Sequence, residues 1–392
     1  MRTIKDADVK GKKILLRDDL NVPLLENGEI SDDSKIVESL PTIEYLLDNK
    51  AKIILLSHLG RPKGREENLK MNQVARRLEE LLNIKVTKLD EITGDYVKKA
   101  IEKMSENEII LLENVRFDDR ETKNDPVFSK ELSELADIYV NDAFGSSHRE
   151  HSSVYGVTEF LPSYAGFLIE AEYNELNKLL EYPKRPFALL QGGVKISNKI
   201  GVVKKLLPKL DILCIGGGMA FTFLRSKGIS VGKSLVEEDQ ICTAEEILNT
   251  GIKNNKEIIV PVDVVVADSI TNPQNVMIVN VQEIPDDFIG VDIGPKTINL
   301  YKDSIEKCNS ILTNGPMGIF ENDKFSDGTK ELYKFLFHIK ANGADVIAAG
   351  GDTVSAIKKF DLFSSFTYIS TGGGATLEFI EGKELNPIKK LL

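Results

Sequence analysis

The sequence predicts an α/β protein of two doubly wound parallel-sheet domains joined by a helix, on three observations. A chain of 392 residues exceeds what one hydrophobic core usually serves, which favours two domains of about 150 to 200 residues each. Short apolar runs with little alternation recur throughout, each followed by a polar or glycine turn and an amphipathic stretch. Such runs suit strands buried on both faces, and their alternation with helices implies parallel sheets. Between the halves, Phe167, Leu168, Ala171, Leu176, Leu179 and Leu180 form an apolar stripe at helical spacing, with Ser163 as its cap and Pro183 as its stop.

In chain order the runs are Lys13–Arg17, 51–58, 108–114, 136–141, 187–192, 211–216, 257–263, 275–281, Ser310–Asn314, 345–350 and 366–371. Ligands of doubly wound sheets bind beyond the carboxyl ends of the strands, and the two halves differ in what they put there. The first run ends in Arg17, Asp19 and Asn21, which read equally well as a surface turn. The second leads straight into His58, Gly60 and Arg61; the third and fourth lead to Arg116 and to His148, Arg149 and His151. Guanidinium and imidazole groups gathered in this way suit a small substrate carrying carboxylate and phosphate. His338, inside the apolar stretch 335–339, reads as structural.

Later runs end in glycine turns: Gly192 and Gly193, Gly216 to Gly218, Gly350 and Gly351, Gly372 to Gly374. Such turns bring backbone N–H groups and helix N-termini to phosphate. Lys195 and Lys199, four apart, share a face if they open a helix. Asp352, after Gly350 and Gly351 and before Thr353, is the best metal candidate, because Mg²⁺ favours one or two carboxylates plus phosphate oxygens. One half is suited to an acid and the other to a nucleotide, so the chemistry belongs between them.

Two decoys fail. The stretch from Gly228 to Ser234 resembles a phosphate-binding P-loop but has three residues between its glycines where four are required. The run from Gly216 to Phe221 has phenylalanine where a dinucleotide fingerprint needs its third glycine, so a dehydrogenase loses its main support. No HExxH or paired Cys/His spacing points to zinc. A non-catalytic nucleotide-binding protein with the same fold stands as the other alternative.

Composition bounds the rest. With 42% hydrophobic and 28% charged residues the balance is that of an ordinary globular protein, and no apolar run approaches a membrane span. A net charge of -11 argues against a nucleic-acid partner, which needs a basic footprint. Cys214, Cys242 and Cys308 are few and odd in number, and the N-terminus has no secretory pattern, so the cytoplasm is the expected compartment.

Ten segments in order, RDDLNVPL, SHLGRPKG, ENVRF, NDAFGSSHREHSS, GGVKISNK, GGGMAFTFL, VDIGP, TNGPMGIFE, AGGDT and STGGGATLE, make the chain resemble phosphoglycerate kinases from end to end. The resemblance implies two Rossmann-like domains with a deep cleft between them. The triose-phosphate domain would span 1–165 plus 375–392, the joining helix 166–184 and the nucleotide domain 185–374. The implied reaction is reversible Mg²⁺-dependent phosphoryl transfer between 1,3-bisphosphoglycerate and ADP, giving 3-phosphoglycerate and ATP, by a monomer that closes about a hinge. By position, the resemblance implies substrate contacts at Asp19, Leu20, Asn21, Lys35, His58, Leu59, Gly60, Arg61, Arg116, Arg149 and His151. It implies nucleotide contacts at Lys195, Lys199, Gly290, Asn314, Glu321, Gly350, Gly351, Asp352 and Thr353, with Asp352 on the metal. Lys35, Lys195, Arg149, Gly372 and Gly373 would serve catalysis. Lys35 stands where the family usually has arginine, Ala349 where it has glycine, Thr313 where it often has tryptophan, and Asn386 departs from the usual tail. A lysine there supplies charge but no planar fork.

Overall fold

The computed structural model describes residues 1–392, which form two compact units, Met1–Asn174 with Glu384–Leu392, and Glu175–Lys383. The first unit contains strands β1 (Lys13–Arg17), β2 (Lys52–Leu56), β3 (Val86–Lys88), β4 (Ile109–Leu111), β5 (Ile138–Asn141) and β6 (Ser163–Ala165), all parallel, in the order β3-β4-β2-β1-β5-β6. Helices α1 (Ser34–Asp48), α2 (Asn72–Leu82), α3 (Asp95–Glu102) and α4 (Pro126–Ser133) cover it. Strand alternation divides the apolar side chains between two cores. Ile14, Leu16, Ile53 and Leu55 pack with Ile43 of α1 and Leu78 of α2. Leu15, Ile54 and Leu56 pack with Ile101 of α3 and Leu132 of α4. That double burial explains why these runs read as continuously apolar.

In-register pairing of Arg17 with Leu56 and with Asn141 brings the strand ends to one edge of the sheet. Strand order changes direction between β1 and β5, the place where doubly wound sheets bind ligands.

Helix α5 (Phe167–Glu181) follows β6, and the division between the units falls within it. The expected cap, Ser163, lies instead in β6, opposite Tyr139. Asp142 takes over, its Oδ1 accepting the amides of Leu168 and Ile169 at 2.8 and 3.1 Å.

The second unit has a six-stranded parallel sheet, built from β7 (Phe187–Gln191), β8 (Ile212–Ile215), β9 (Glu257–Ile259), β13 (Ser310–Asn314), β14 (Asp345–Ala349) and β15 (Tyr368–Ile369), in the order β15-β14-β13-β7-β8-β9. Its helices are α6 (Ile200–Leu206), α7 (Met219–Ser226), α8 (Ile241–Lys253), α9 (Pro295–Ile305), α10 (Asp327–Ala341), α11 (Gly351–Phe360) and α12 (Gly374–Ile380). Runs 257–263 and 275–281 do not both belong to it. Strands β10 (Asp263–Ala267), β11 (Val276–Asn280) and β12 (Ile289–Ile293) make a separate antiparallel sheet in the order β11-β10-β12. Pro261 separates β9 from β10, and a proline cannot donate to a ladder.

Asn314 pairs with Gln191 and with Ala349, so this unit too aligns its strand ends, and its order changes direction between β7 and β13. The chain rejoins the first unit after Lys383 rather than after residue 374, because α12 stays with the second unit and Glu381 occupies the space beside Gly201. The tail, including helix α13 (Asn386–Lys389), is fastened by the amide of Arg2 donating to the Leu391 carbonyl at 2.7 Å.

Candidate active site

In the first unit the predicted cationic residues meet at the aligned strand ends. Arg17, 1% exposed, has only donors to offer. It gives Nε to Ser153 Oγ at 2.9 Å, one terminal nitrogen to the Asp18 carbonyl, and the other to His58 Nδ1 at 3.2 Å. Because arginine cannot accept, His58 Nδ1 must, which leaves the ring proton on Nε2. Burial, with Arg17 and Arg116 adding to it, holds the His58 pKa well below its ordinary value, so the ring is a neutral donor.

Asp19 is buried, which opposes its ionisation, but nearby positive charge, chiefly that of Lys35, outweighs that and brings its carboxyl down to about 2. Lys35, on the first turn of α1, reaches Asp19 Oδ2 at 2.8 Å and remains 32% exposed. Arg116 is lowered to about 10 by burial and by the charges of Arg17 and Arg149, and it donates to the Gly60 carbonyl at 2.8 Å. His151 falls to about 4, through burial and then Arg116 and Arg149. A cluster of cationic groups gathered this closely suits an anion.

Other predicted residues shape the loops. The Leu20 amide donates to Ser57 Oγ at 2.9 Å, the Leu59 amide to Asn114 Oδ1 at 3.2 Å and the Gly60 amide to Asn21 Oδ1 at 2.7 Å, so all three amides are already occupied. Leu20 and Leu59 are buried. Gly60 has φ +65°, and a Cβ there would lie 2.9 Å from Leu69 Cδ2. Arg61 and Arg149 are exposed, and Arg149 Nε donates to His148 Nε2 at 3.0 Å. Ser57 and Asn114, buried at the strand ends, tie these loops together through their backbone groups; sequence reasoning missed Glu121 and Ser153, the buried pair behind Arg17. Glu121 and Ser153 meet across 32 positions of chain with no shared motif, so no local signal marks them.

In the second unit, a cavity of about 470 Å³ is lined by Gly193, Gly217, Gly218, Gly290, Glu321 and Asp352 among others. Its glycines pack backbone against backbone: a side chain on Gly217, at φ +64°, would overlap Gly193, and one on Gly315, at φ +90°, would overlap Gly192. Phe221, the residue that breaks the dinucleotide fingerprint, presses its ring against Gly290, where any Cβ would clash. The Gly290 amide donates to Ser234 Oγ at 2.8 Å, so Gly290 offers space rather than a hydrogen bond.

Gly350, at φ +94°, precedes α11, whose first turn carries Gly351, Asp352 and Thr353. Thr353 Oγ1 donates to the Ala349 carbonyl and accepts the Gly315 amide, both at 2.7 Å, and so locks this turn to the next one. Ala349 is a fully buried strand residue paired with Asn314. Asn314 Oδ1 accepts from Gln191 Nε2 at 3.1 Å. Lys199 is lowered by burial and pulled back up by Asp352. Lys195 and Lys199 precede α6 rather than riding on it: Lys199 is its N-cap and Lys195 lies exposed in the preceding turn. Gly373, at φ +55°, introduces α12, and Gly372 is buried beside it.

No group of three or more His, Cys, Asp or Glu side chains is arranged to hold a bare ion. The exposed Asp352 carboxylate on the cavity wall does fit an ion that arrives on phosphate oxygens.

Residues 4–383 match the family model for phosphoglycerate kinase. The chain is 47% identical over 386 residues to the phosphoglycerate kinase of Thermosynechococcus vestitus, covering 98% of this chain and 96% of that one. It is 48% identical over 391 residues to that of Thermosipho africanus, covering 99% and 97%. Among solved structures it superposes on the Coxiella burnetii phosphoglycerate kinase with a TM-score of 0.90 at 37% identity, over 99% of this chain and 98% of that one. With the Pyrococcus horikoshii enzyme the TM-score is 0.86 at 32% identity, over 100% and 98%. Similarity of this extent, spanning both units and both sets of strand ends, means that the chain belongs to the phosphoglycerate kinase family.

Proposed function

We propose that the strand-end cluster of the first unit binds 3-phosphoglycerate or its acyl phosphate, and that the glycine-lined cavity of the second binds ADP or ATP with Mg²⁺. The family's activity is phosphoryl transfer to and from the carboxyl group of this acid. In the reading proposed, Arg61, Arg116, Arg149 and His151 hold the substrate phosphate, and Asp19, Asn21 and the His58 Nε2–H orient its hydroxyl and carboxyl end. Leu20, Leu59 and Gly60 act by shaping those loops. Lys199, the α11 N-terminus at Gly350 to Thr353, and Asn314 hold the nucleotide phosphates; Glu321 holds the ribose and Gly290 makes room for the base. Asp352 would hold Mg²⁺, which supplies positive charge to the phosphate oxygens. Lys35, Lys195, Gly372 and Gly373 complete the surroundings of the transferred group.

Attack on ATP needs no catalytic base, because a carboxylate with a reference pKa near ~4 is already ionised at neutral pH. What remains for the protein is alignment and neutralisation of charge in a loose in-line transition state. The convergence of Arg17, His58 and Arg116 at the aligned strand ends, where burial and like charge lower His58 and Arg116, is the observation that carries the acid-site reading. A monomer acting in the cytoplasm accompanies it; no helix is long and apolar enough to cross a membrane. A coupled assay of 3-phosphoglycerate-dependent ATP hydrolysis tests the whole. Activity that needs both substrates and Mg²⁺, and falls at least about tenfold in Arg149→Ala, is expected. No loss in that variant removes the triose-site assignment, whereas ADP binding without turnover favours a binding protein.

A further inference from the structure

We infer that Glu121 is a positioning residue for His58, acting through Ser153 and Arg17. Glu121 is 1% exposed, in the turn after Arg116 and well away in sequence from everything it serves. Its Oε1 accepts Ser153 Oγ at 2.6 Å and its Oε2 accepts the Ser153 amide at 2.9 Å. The serine hydroxyl has one hydrogen, and it is spent on Glu121. Toward Arg17 Nε, 2.9 Å away, that oxygen can therefore only accept. Arg17 in turn can only donate to His58 Nδ1. Each polar atom along Glu121, Ser153, Arg17 and His58 is thus left with a single possible role, and all four residues are buried. Glu121 and Ser153 hold Arg17 at its place against His58 Nδ1, and Arg17 there sets the direction in which His58 offers its proton.

Glu121 is also a carboxylate set among cations. Burial raises its pKa while Arg17 and Arg116 pull it down, and His151 Nδ1 lies 3.7 Å from its Oε1. A neutral residue there would leave Arg17 without its fixed counter-charge and leave the Ser153 hydroxyl free to turn. Arg17, no longer held at Nε, would then be free to swing off His58 Nδ1, and only that displacement would let the ring hold its proton on either nitrogen. Glutamine fits the space but presents an NH₂ where one of the two Ser153 donors must bind.

The proposal rests on the acid-site reading for its kinetic consequence, but its first readout needs no substrate. Histidine ¹⁵N–¹H NMR of the full chain, with His58 assigned by comparison with His58→Gln, is expected to show one Nε2–H tautomer in the parent. Ser153→Ala and Glu121→Gln should each give a tautomer mixture. Both should raise the KM for 3-phosphoglycerate about tenfold, as loss of a partner behind a binding group does, with the KM for ATP changed by less than about twofold. Ser153→Thr, which keeps the hydroxyl, should restore both properties. An unchanged tautomer in Ser153→Ala overturns the relay, even if Glu121→Gln fails to fold. A changed tautomer with an unchanged KM overturns the positioning role. Failure of the acid site itself would show separately, as an Arg149→Ala variant with unaltered KM and an intact His58 signal.

Discussion

At the scale of single residues, the costliest feature of the first unit is a pair of carboxyls that no cation partners. Asp18 and Asp142 lie one position beyond Arg17 and Asn141, which are paired across β1 and β5, and both are fully buried. Each spends one oxygen on backbone amides, Asp19 for the first and Leu168 and Ile169 for the second, while Oδ2 of each makes no hydrogen bond. Burial pushes Asp18 well up, with the Asp142 charge adding to it, and burial pushes Asp142 to about 6. A carboxyl raised on folding binds its proton more tightly in the folded state. Its favourable contribution is therefore complete below the unfolded value near ~4 and is lost as pH rises through the folded one. Asp18→Asn keeps an acceptor for the Asp19 amide and adds a donor for its neighbour. Relative to the parent it should gain stability at pH 6 and at pH 8 and gain nothing at pH 4. Urea midpoints at the three pH values check this, and an equal gain at all three would show that the carboxyl is not the cause. Asp18 is also where sequence reading reaches its limit. Arg17, His58 and Arg116 are legible because strand ends display them, whereas Asp18, Asp142, Glu121 and Ser153 act beneath the surface on partners that only folding supplies.

At the scale of elements, buried strands announce themselves and exposed ones do not. Runs such as Lys52–Leu56 are apolar because both faces are covered. Strand β11 has a similar composition, yet it is the mostly exposed edge of a small antiparallel sheet. Composition alone cannot separate the two, since the difference lies in what packs against them. Ser163 fails as a helix cap for a related reason: pairing with β5 claims it first, and Asp142 caps α5 from a distant loop. The second unit's cavity depends on a fit of this kind between elements, Gly290 of β12 against the Phe221 ring of α7. Gly290→Ala should force the ring aside and lower ADP affinity about tenfold, within the ~1–3 kcal/mol typical of overpacking. Phe221→Leu in the same chain should recover most of that loss. Calorimetric titration with ADP is the measurement, and an additive, unrescued loss in the double variant would show that the two residues do not share the space.

At the scale of the whole molecule, the two units are built by the same rule, and in the reading proposed they divide the work. Each aligns the carboxyl ends of its parallel strands, and each places its distinctive residues where the strand order turns. That much follows from length, alternation and strand-end chemistry, all of which are legible in the sequence. Closure is legible only through the family resemblance, because periodicity carries no information about motion. It follows from the chemistry proposed. An in-line transfer needs the attacking oxygen about 3 to 3.5 Å from phosphorus, and water left in that space would compete for the phosphoryl group. In the reading proposed, with the substrates held by different units, meeting these conditions falls to a movement of the units when both are loaded. Helix α5, divided between the units near Asn174, is the element about which they would turn. Small-angle scattering should show a smaller radius of gyration with 3-phosphoglycerate and a non-hydrolysable ATP analogue together than with either alone, since neither half-filled state gains the joint contacts that favour closure. In Arg149→Ala the compaction should shift to higher 3-phosphoglycerate concentration and keep its full extent. A scattering profile unchanged at saturation with both ligands would remove closure as the means of bringing the reactants together.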